Sequence, residues 1–249
     1  MIKRTIRSLL ERSGWELTRR ADREHMAVAD LPEGDRAIIA RVAPYTMTSL
    51  DRRASLIGAV DHIVRQGIEG DIVECGVWRG GSMMTAALAL MARGQTHRHL
   101  WLYDTFEGMS EPTAADLSHD GVTAQRQLES TTRGEGVWCE ASLDDVQANL
   151  WSTGYPRENL HFVRGKVEDT IPAALPERIA LLRLDTDWYE STRHELQHLY
   201  PLLQARGVLL IDDYGHWQGA RQAVDEYFAG QPHYLHRVDY TARLLVKGG

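Results

Sequence analysis

From Gly70 onward, short apolar runs alternate with stretches of helical periodicity. The runs at 72–75, 99–103, 160–163, 179–184 and 208–211 have the length and residue types of strands. Two further strands are expected around 234–238 and 243–246. Between them, apolar positions recur at helical spacing over 82–93, 143–152, 191–200 and 217–228. Repeated strand–helix units predict an α/β fold with a mostly parallel sheet. Upstream, a polar stretch (21–36) leads to a short apolar helical segment at 37–42. Pro44 breaks it, and Ser49 is placed to cap an amphipathic helix running to Val64. The segment 108–136 is long, polar and dotted with glycine, so it reads as a loop with an embedded helix; loops of this length over a rigid sheet carry function.

Two of the apolar runs stop abruptly in acids. The run 179–184 continues into Asp185-Thr186-Asp187, and 208–211 into Asp212-Asp213. Ligands of open α/β sheets collect beyond the carboxyl ends of the strands. If these two strands are neighbours, Asp185, Asp212 and Asp213 meet there, with Asp187 close by. Like charges that near one another need a counter-ion, and carboxylate oxygens suit a hard divalent cation. Capping of the following helices would explain a single aspartate, but a clustered set favours the metal.

The first strand runs into Glu74-Cys75-Gly76-Val77-Trp78-Arg79-Gly80-Gly81-Ser82 and then a helix. Glycines there let the backbone turn tightly and approach a ligand, and the helix N-terminus presents free N–H groups. The motif is neither G-x-G-x-x-G nor a Walker loop, which leaves an NTPase without support and an NAD-dependent oxidoreductase as a weak alternative. The second strand ends at Tyr103-Asp104, where an acid can accept hydrogen bonds from ribose hydroxyls. S-adenosylmethionine fits this pattern better than NAD.

Length and composition narrow the picture further. At 249 residues, with 43% hydrophobic and 25% charged residues, one α/β domain with a substantial core is expected. A net charge of −7 argues against nonspecific nucleic-acid binding. Cys75 and Cys139 provide neither a disulfide framework nor zinc spacing, so a cytoplasmic location is expected. Neither a transmembrane run nor a secretory signal is evident. Residues 1–20 hold six Lys/Arg and two Glu, with Ile2, Ile6, Leu9 and Leu10 on one helical face. That basic helix would lie peripherally on an anionic membrane surface, or dock on a partner subunit or on the domain itself.

Four blocks resemble the macrocin O-methyltransferase family, which also contains the novobiocin-pathway O-methyltransferase. They are Glu74 to Gly81, Tyr103-Asp104-Thr105-Phe106-Glu107-Gly108-Met109, Leu182-Arg183-Leu184-Asp185-Thr186-Asp187-Trp188-Tyr189, and Ile211-Asp212-Asp213-Tyr214. The resemblance spans about residues 40–230. It implies a Rossmann-like class I S-adenosylmethionine-dependent methyltransferase: a mostly parallel seven-stranded sheet with helices on both faces. The domain would occupy 37–249, opening with a lid, after a basic helix and linker at 1–36. The implied activity is Mg²⁺-dependent methylation of a sugar hydroxyl on a glycosylated natural product or surface-glycan precursor. A homodimer is expected. A noncatalytic Rossmann-like subunit serving assembly or membrane attachment is the alternative.

Carried over by position, the resemblance makes Asp185, Asp212 and Asp213 metal ligands and Asp187 the general base. Glu74, Gly76, Val77 and Trp78 would line the methionine side of the cofactor, Asp104 with Thr105 would hold the ribose, and Ser142 and Asp169 would approach the adenine. Tyr45 to Thr48, with Thr46 and Met47, would form the lid. Gly165-Lys166-Val167 replaces the family's usual Gly-Trp-Phe, which removes an aromatic wall near the adenine. Beyond the motifs, His216 is a second base candidate, His119 and Asp120 are candidate acceptor contacts, and Arg183 is expected to pair with a neighbouring acid. Trp78, Trp188 and Trp217 flank the proposed site.

Overall fold

The computed structural model describes residues 26–131 and 138–249, together with Ser13. The basic segment 1–20, apart from Ser13, lies outside the described residues. The chain opens with helices α1 (Glu33–Val42) and α2 (Leu50–Arg65), followed by strand β1 (Asp71–Cys75), α3 (Gly81–Ala92) and β2 (Leu100–Asp104). After the long loop come α4 (Ala124–Ser130), α5 (Leu143–Trp151), β3 (Leu160–Arg164), α6 (Val167–Thr170) and β4 (Ile179–Leu184). The chain closes with α7 (Tyr189–Leu199), β5 (Leu203–Ile211), α8 (Gln218–Tyr227), β6 (His236–Arg237) and β7 (Arg243–Val246).

Seven strands form one sheet in the order β3-β2-β1-β4-β5-β7-β6, parallel except for β7, which runs antiparallel to β5 and β6. All six residues of β4 are buried. A strand covered on both faces has no polar side, which is why the sequence shows continuous apolar runs here instead of alternation. On one face Ile72, Leu181 and Leu210 pack with Val60, Met84 and Leu90 of the helices. On the other, Val73, Leu184 and Ile211 pack with Leu196 and Val224. Helix α3 is buried on nearly every side, as an all-apolar helix must be.

The sequence-based elements differ from these mainly at boundaries. Strand β5 starts at Leu203, five residues before its apolar run, because its opening residues Gln204, Ala205 and Arg206 reach solvent and carry no apolar pattern. The helix expected inside the long loop is α4, capped by the Thr123 side chain. Helix α1 begins at Glu33, inside the stretch expected to be linker. The single-turn α6 is too short for periodicity to reveal.

Register places the site. Cys75 stands opposite Leu184, and Leu184 opposite Ile211. The residues that follow, Gly76, Asp185 and Asp212, are therefore neighbours across the carboxyl edge. The ladder extends one step into them: the Asp185 N–H donates to the Cys75 carbonyl at 2.8 Å and the Asp212 N–H to that of Leu184 at 2.9 Å. The edge between β1 and β4 is also where the winding of the sheet reverses, the position at which such folds open a crevice.

Candidate active site

The turn after β1 forms one side of the crevice. Gly76 has φ +79, and a Cβ there would run into the Asp185 carbonyl, so only glycine lets β1 and β4 close up at this level. Two residues on, Trp78 adopts φ 45, a left-handed conformation costly for a bulky side chain. Asp104 holds that conformation in place. One of its oxygens accepts from the Val77 N–H at 2.6 Å and the Trp78 N–H at 3.2 Å, the other from the Phe106 N–H at 2.7 Å. Burial raises the Asp104 pKa, and these backbone donors oppose the rise. Segment 45–48 packs against the other end: a Cβ on Gly81 would collide with the Tyr45 carbonyl, so that backbone rests directly on the start of α3.

Below the crevice lies a buried ion cluster. Glu74 and Arg183 are register partners on adjacent parallel strands and share a face of the sheet. Arg183 donates at 2.6 Å to each of three carboxylates: Glu74, Asp185 and Asp212. The second oxygen of Asp212 pairs with Arg52 of α2, which also reaches Asp239 at 3.0 Å. Burial pushes Glu74 up to about 7, against the pull of Arg183.

The opposite wall gathers three acids, of which only Asp185 pairs with an arginine among the described residues. Carboxylate oxygens of Asp185, Asp187 and Asp213 lie within 4.8 Å of one another. Desolvation raises all three pKa values, reinforced by the mutual repulsion of the acids, and Asp187 reaches about 7. Asp187 sits at φ 69, beside the Asp213 carboxylate and the Trp217 side chain. Six carboxylates (Glu74, Asp185, Asp187, Asp212, Asp213, Asp239) thus face two guanidiniums, Arg52 and Arg183. The donor set is all oxygen and negatively charged in excess, which fits a hard divalent cation.

Most of the expected residues converge. Thr46, Met47, Gly76, Val77, Trp78 and Asp104 line one cleft of about 200 Å³ together with Asp185, Asp187, Asp212 and Asp213. Glu74 instead lies beneath the floor, held by Arg183. Thr105 faces a smaller cavity behind the cleft, where its hydroxyl donates to the Gly108 carbonyl at 2.6 Å. Ser142 caps α5 by accepting from the Asp145 N–H. Asp169 is exposed and lines neither cavity, whereas its neighbour Glu168 lines the smaller one and accepts from Ser191 at 2.7 Å. Trp188 and Trp217 are buried, 5.0 Å apart and edge-on. His119 and His216 stand together outside the cleft, 5.3 Å between ring centroids.

Arg52 is the site residue that sequence reasoning passed over. One signal was available. Ser49 accepts from the Arg52 N–H as the N-cap of α2, which puts a cation in the first turn, where the helix dipole favours an acid. A tertiary acid partner resolves that conflict.

The family model described as Macrocin-O-methyltransferase (TylF) matches residues 15–245. The chain belongs to this family. Among its relatives within the macrocin O-methyltransferase group is the 8-demethyl-8-(2,3-dimethoxy-alpha-L-rhamnosyl)-tetracenomycin-C 4'-O-methyltransferase of Streptomyces olivaceus. It is 37% identical over 199 residues, covering 79% of this chain and 73% of the relative. Mycinamicin III 3''-O-methyltransferase of Micromonospora griseorubida is 36% identical over 183 residues, covering 74% and 70%. The solved structure of the O-methyltransferase NovP superposes with a TM-score of 0.71 at 30% identity, covering 82% of this chain and 83% of that one. The chain is thus an O-methyltransferase of the S-adenosylmethionine-dependent class I fold, as the sequence motifs implied. Among the described residues, no helix is long and apolar enough to cross a membrane.

Proposed function

We propose that this enzyme moves the methyl group of S-adenosylmethionine to a sugar hydroxyl of a glycosylated small molecule or glycan precursor, with Mg²⁺ held by Asp185, Asp212 and Asp213. The observation that carries the reading is the meeting of these acids with the Gly76–Trp78 turn in one cleft. The relatives support the acceptor class, since the tetracenomycin enzyme is named for a rhamnosyl substrate.

S-adenosylmethionine supplies an activated methyl for in-line displacement, and Mg²⁺ supplies Lewis acidity toward a weakly acidic sugar hydroxyl. The protein's own contribution is orientation and proton removal. The N-terminus of α3 presents backbone N–H groups to the cofactor side, and Asp104 fixes the turn before it by accepting from the Val77 and Trp78 N–H groups. Arg183 and Arg52 fix Asp212 from both oxygens, and a carboxylate has about four acceptor positions, so ligation and arginine pairing are compatible. Among the described residues Asp187 pairs with no arginine, and it lies beside Trp217, a suitable setting for taking the hydroxyl proton. The lid residues Thr46 and Met47 cover the cleft and limit water.

The test is methyl transfer onto glycosides with vicinal hydroxyls, with Mg²⁺, with EDTA, and with the D187N variant. Activity that requires Mg²⁺ supports the reading, and D187N is expected to lose about 10²–10⁴-fold in kcat while keeping Mn²⁺ affinity within about threefold. A tenfold loss of Mn²⁺ affinity would make Asp187 a ligand instead of a base, and full activity in EDTA would remove the cation. A cytoplasmic homodimer that contacts the inner membrane face through residues 1–20 belongs to the same proposal; light scattering and liposome sedimentation of a 1–20 deletion test it.

A further inference from the structure

The cleft encloses about 200 Å³, less than the ~300–1,000 Å³ of a typical small-molecule site. It has to serve a cofactor and a reacting sugar, so the rest of any glycosidic acceptor must lie outside it. On the far side of Trp217 is an open groove of about 750 Å³. Its floor is the polar flank of α8, including Gln222 and Asp225, and one wall is Tyr214.

Groove and cleft share a partition. The backbone N–H groups of His216 and Trp217 both donate to the Asp213 carbonyl at 3.0 Å. Trp217 lines the groove, and its side chain also lies beside Asp187 of the cleft. Above the partition stands a small aromatic platform. The Tyr240 hydroxyl lies 3.2 Å from His216 Nδ1, and the His119 ring is 5.3 Å from that of His216. Tyr240 is 53% exposed, although its chain neighbour Asp239 is tied to Arg52 of the cleft. The platform is fixed by backbone: a Cβ on Gly215 would strike the Tyr240 carbonyl. Tyr214 is equally fixed, with Arg243 and Arg221 stacked 4.8 and 5.5 Å from its ring and its hydroxyl donating to Asp225 at 2.7 Å.

Exposed ring faces beside planar amide, carboxylate and guanidinium groups match the CH faces and vicinal hydroxyls of a pyranose. They match an apolar aglycone poorly. We propose that the groove is an acceptor subsite for a second sugar, so that the enzyme methylates one unit of an at least disaccharide-bearing substrate. The adjacent unit stacks on the exposed Tyr240 ring at the rim of the groove, with the His216 ring nearly perpendicular beside it, and extends toward Gln222. This assignment rests on the sugar-acceptor reading above.

The experiment compares a monoglycoside with a diglycoside of the same aglycone, using wild type and Tyr240→Ala. Expected for wild type is a kcat/KM about tenfold higher on the diglycoside, carried by KM, as binding away from the reacting centre dictates. In Tyr240→Ala that advantage collapses because KM for the diglycoside rises to near that of the monoglycoside, with kcat on the diglycoside retained. Saturation-transfer NMR of the diglycoside on the S-adenosylhomocysteine-loaded enzyme should show contact on both rings. Equal KM for the two glycosides, a Tyr240→Ala loss of the same size on both, or a preference that follows aglycone size would overturn the subsite alone. Methyl transfer to neither glycoside would overturn the sugar-acceptor reading and the subsite with it.

Discussion

Replacing Arg183 by methionine keeps most of the buried stem and deletes the guanidinium shared by Glu74, Asp185 and Asp212. Removing one partner of a buried pair costs about 3–5 kcal/mol, because the other charge is left uncompensated. Here three carboxylates lose one cation, and Arg52 still reaches only Asp212 among them. The expected loss is therefore at the upper end, about 5 kcal/mol, a large share of the ~5–15 kcal/mol that holds a domain folded. At about 2–4 °C per kcal/mol for a chain of this size, the melting midpoint falls by roughly 10–20 °C. The pH dependence gives a second signature. Glu74 is raised in the folded state from 4.5 to about 7. A carboxyl raised on folding adds stability below its unfolded pKa, and that stability is lost as pH climbs through the folded value. Without Arg183 to oppose burial, the folded pKa moves higher still, so the variant recovers more on acidification than wild type does. Urea unfolding followed by circular dichroism, for wild type, R183M and the R183M/E74Q double variant, measures both effects. The gap should narrow between about pH 7.5 and pH 5, and E74Q should restore part of the loss. A deficit under about 1 kcal/mol, or one that widens on acidification, would refute this account of the cluster.

Two further substitutions probe the cofactor side. Gly76→Ala combines a left-handed φ with a collision against the Asp185 carbonyl; strain of about 1–2 kcal/mol plus displacement of β4's end should weaken S-adenosylhomocysteine binding at least tenfold by calorimetry, and unchanged affinity would count against the close approach. Asp104→Asn turns one acceptor oxygen into a donor. Because backbone N–H groups face both oxygens, either orientation of the amide leaves an N–H opposed, at about 1–3 kcal/mol, so both melting midpoint and cofactor affinity should fall; an effect on neither would show that the turn holds itself.

Much of the architecture was legible because of burial. β4 and the second half of β5 are covered on both faces, so their apolar runs are interrupted only by Arg183 and their acidic ends are conspicuous. Glu74 and Arg183 could also have been paired in advance. Once β1 and β4 are taken as neighbours, both are interior polar residues on buried strands, and each needs the other. What stayed hidden was whatever depends on one turn of chain or on distant elements. Glu168 and Asp169 are adjacent in a single-turn helix, and nothing in their order says which faces inward. Arg52 reaches its acids from another layer, 160 positions away from Asp212.

The acidic strand ends show the same limit more sharply. In sequence, Asp212 and Asp213 are indistinguishable members of one pair. At the end of a strand, successive side chains leave on opposite sides. Asp212 continues the parity of Leu210 and joins the arginine-neutralised cluster on that face, while Asp213 turns toward Asp187. Asp185 belongs to both systems, one oxygen bound by Arg183 while the carboxylate also stands within the group formed with Asp187 and Asp213. The four acids are therefore divided by their access to positive charge and not by their spacing. A cation held by Asp185, Asp212 and Asp213 would span the two halves, drawing one ligand from each and Asp185 from both, and would leave Asp187 outside its ligand set.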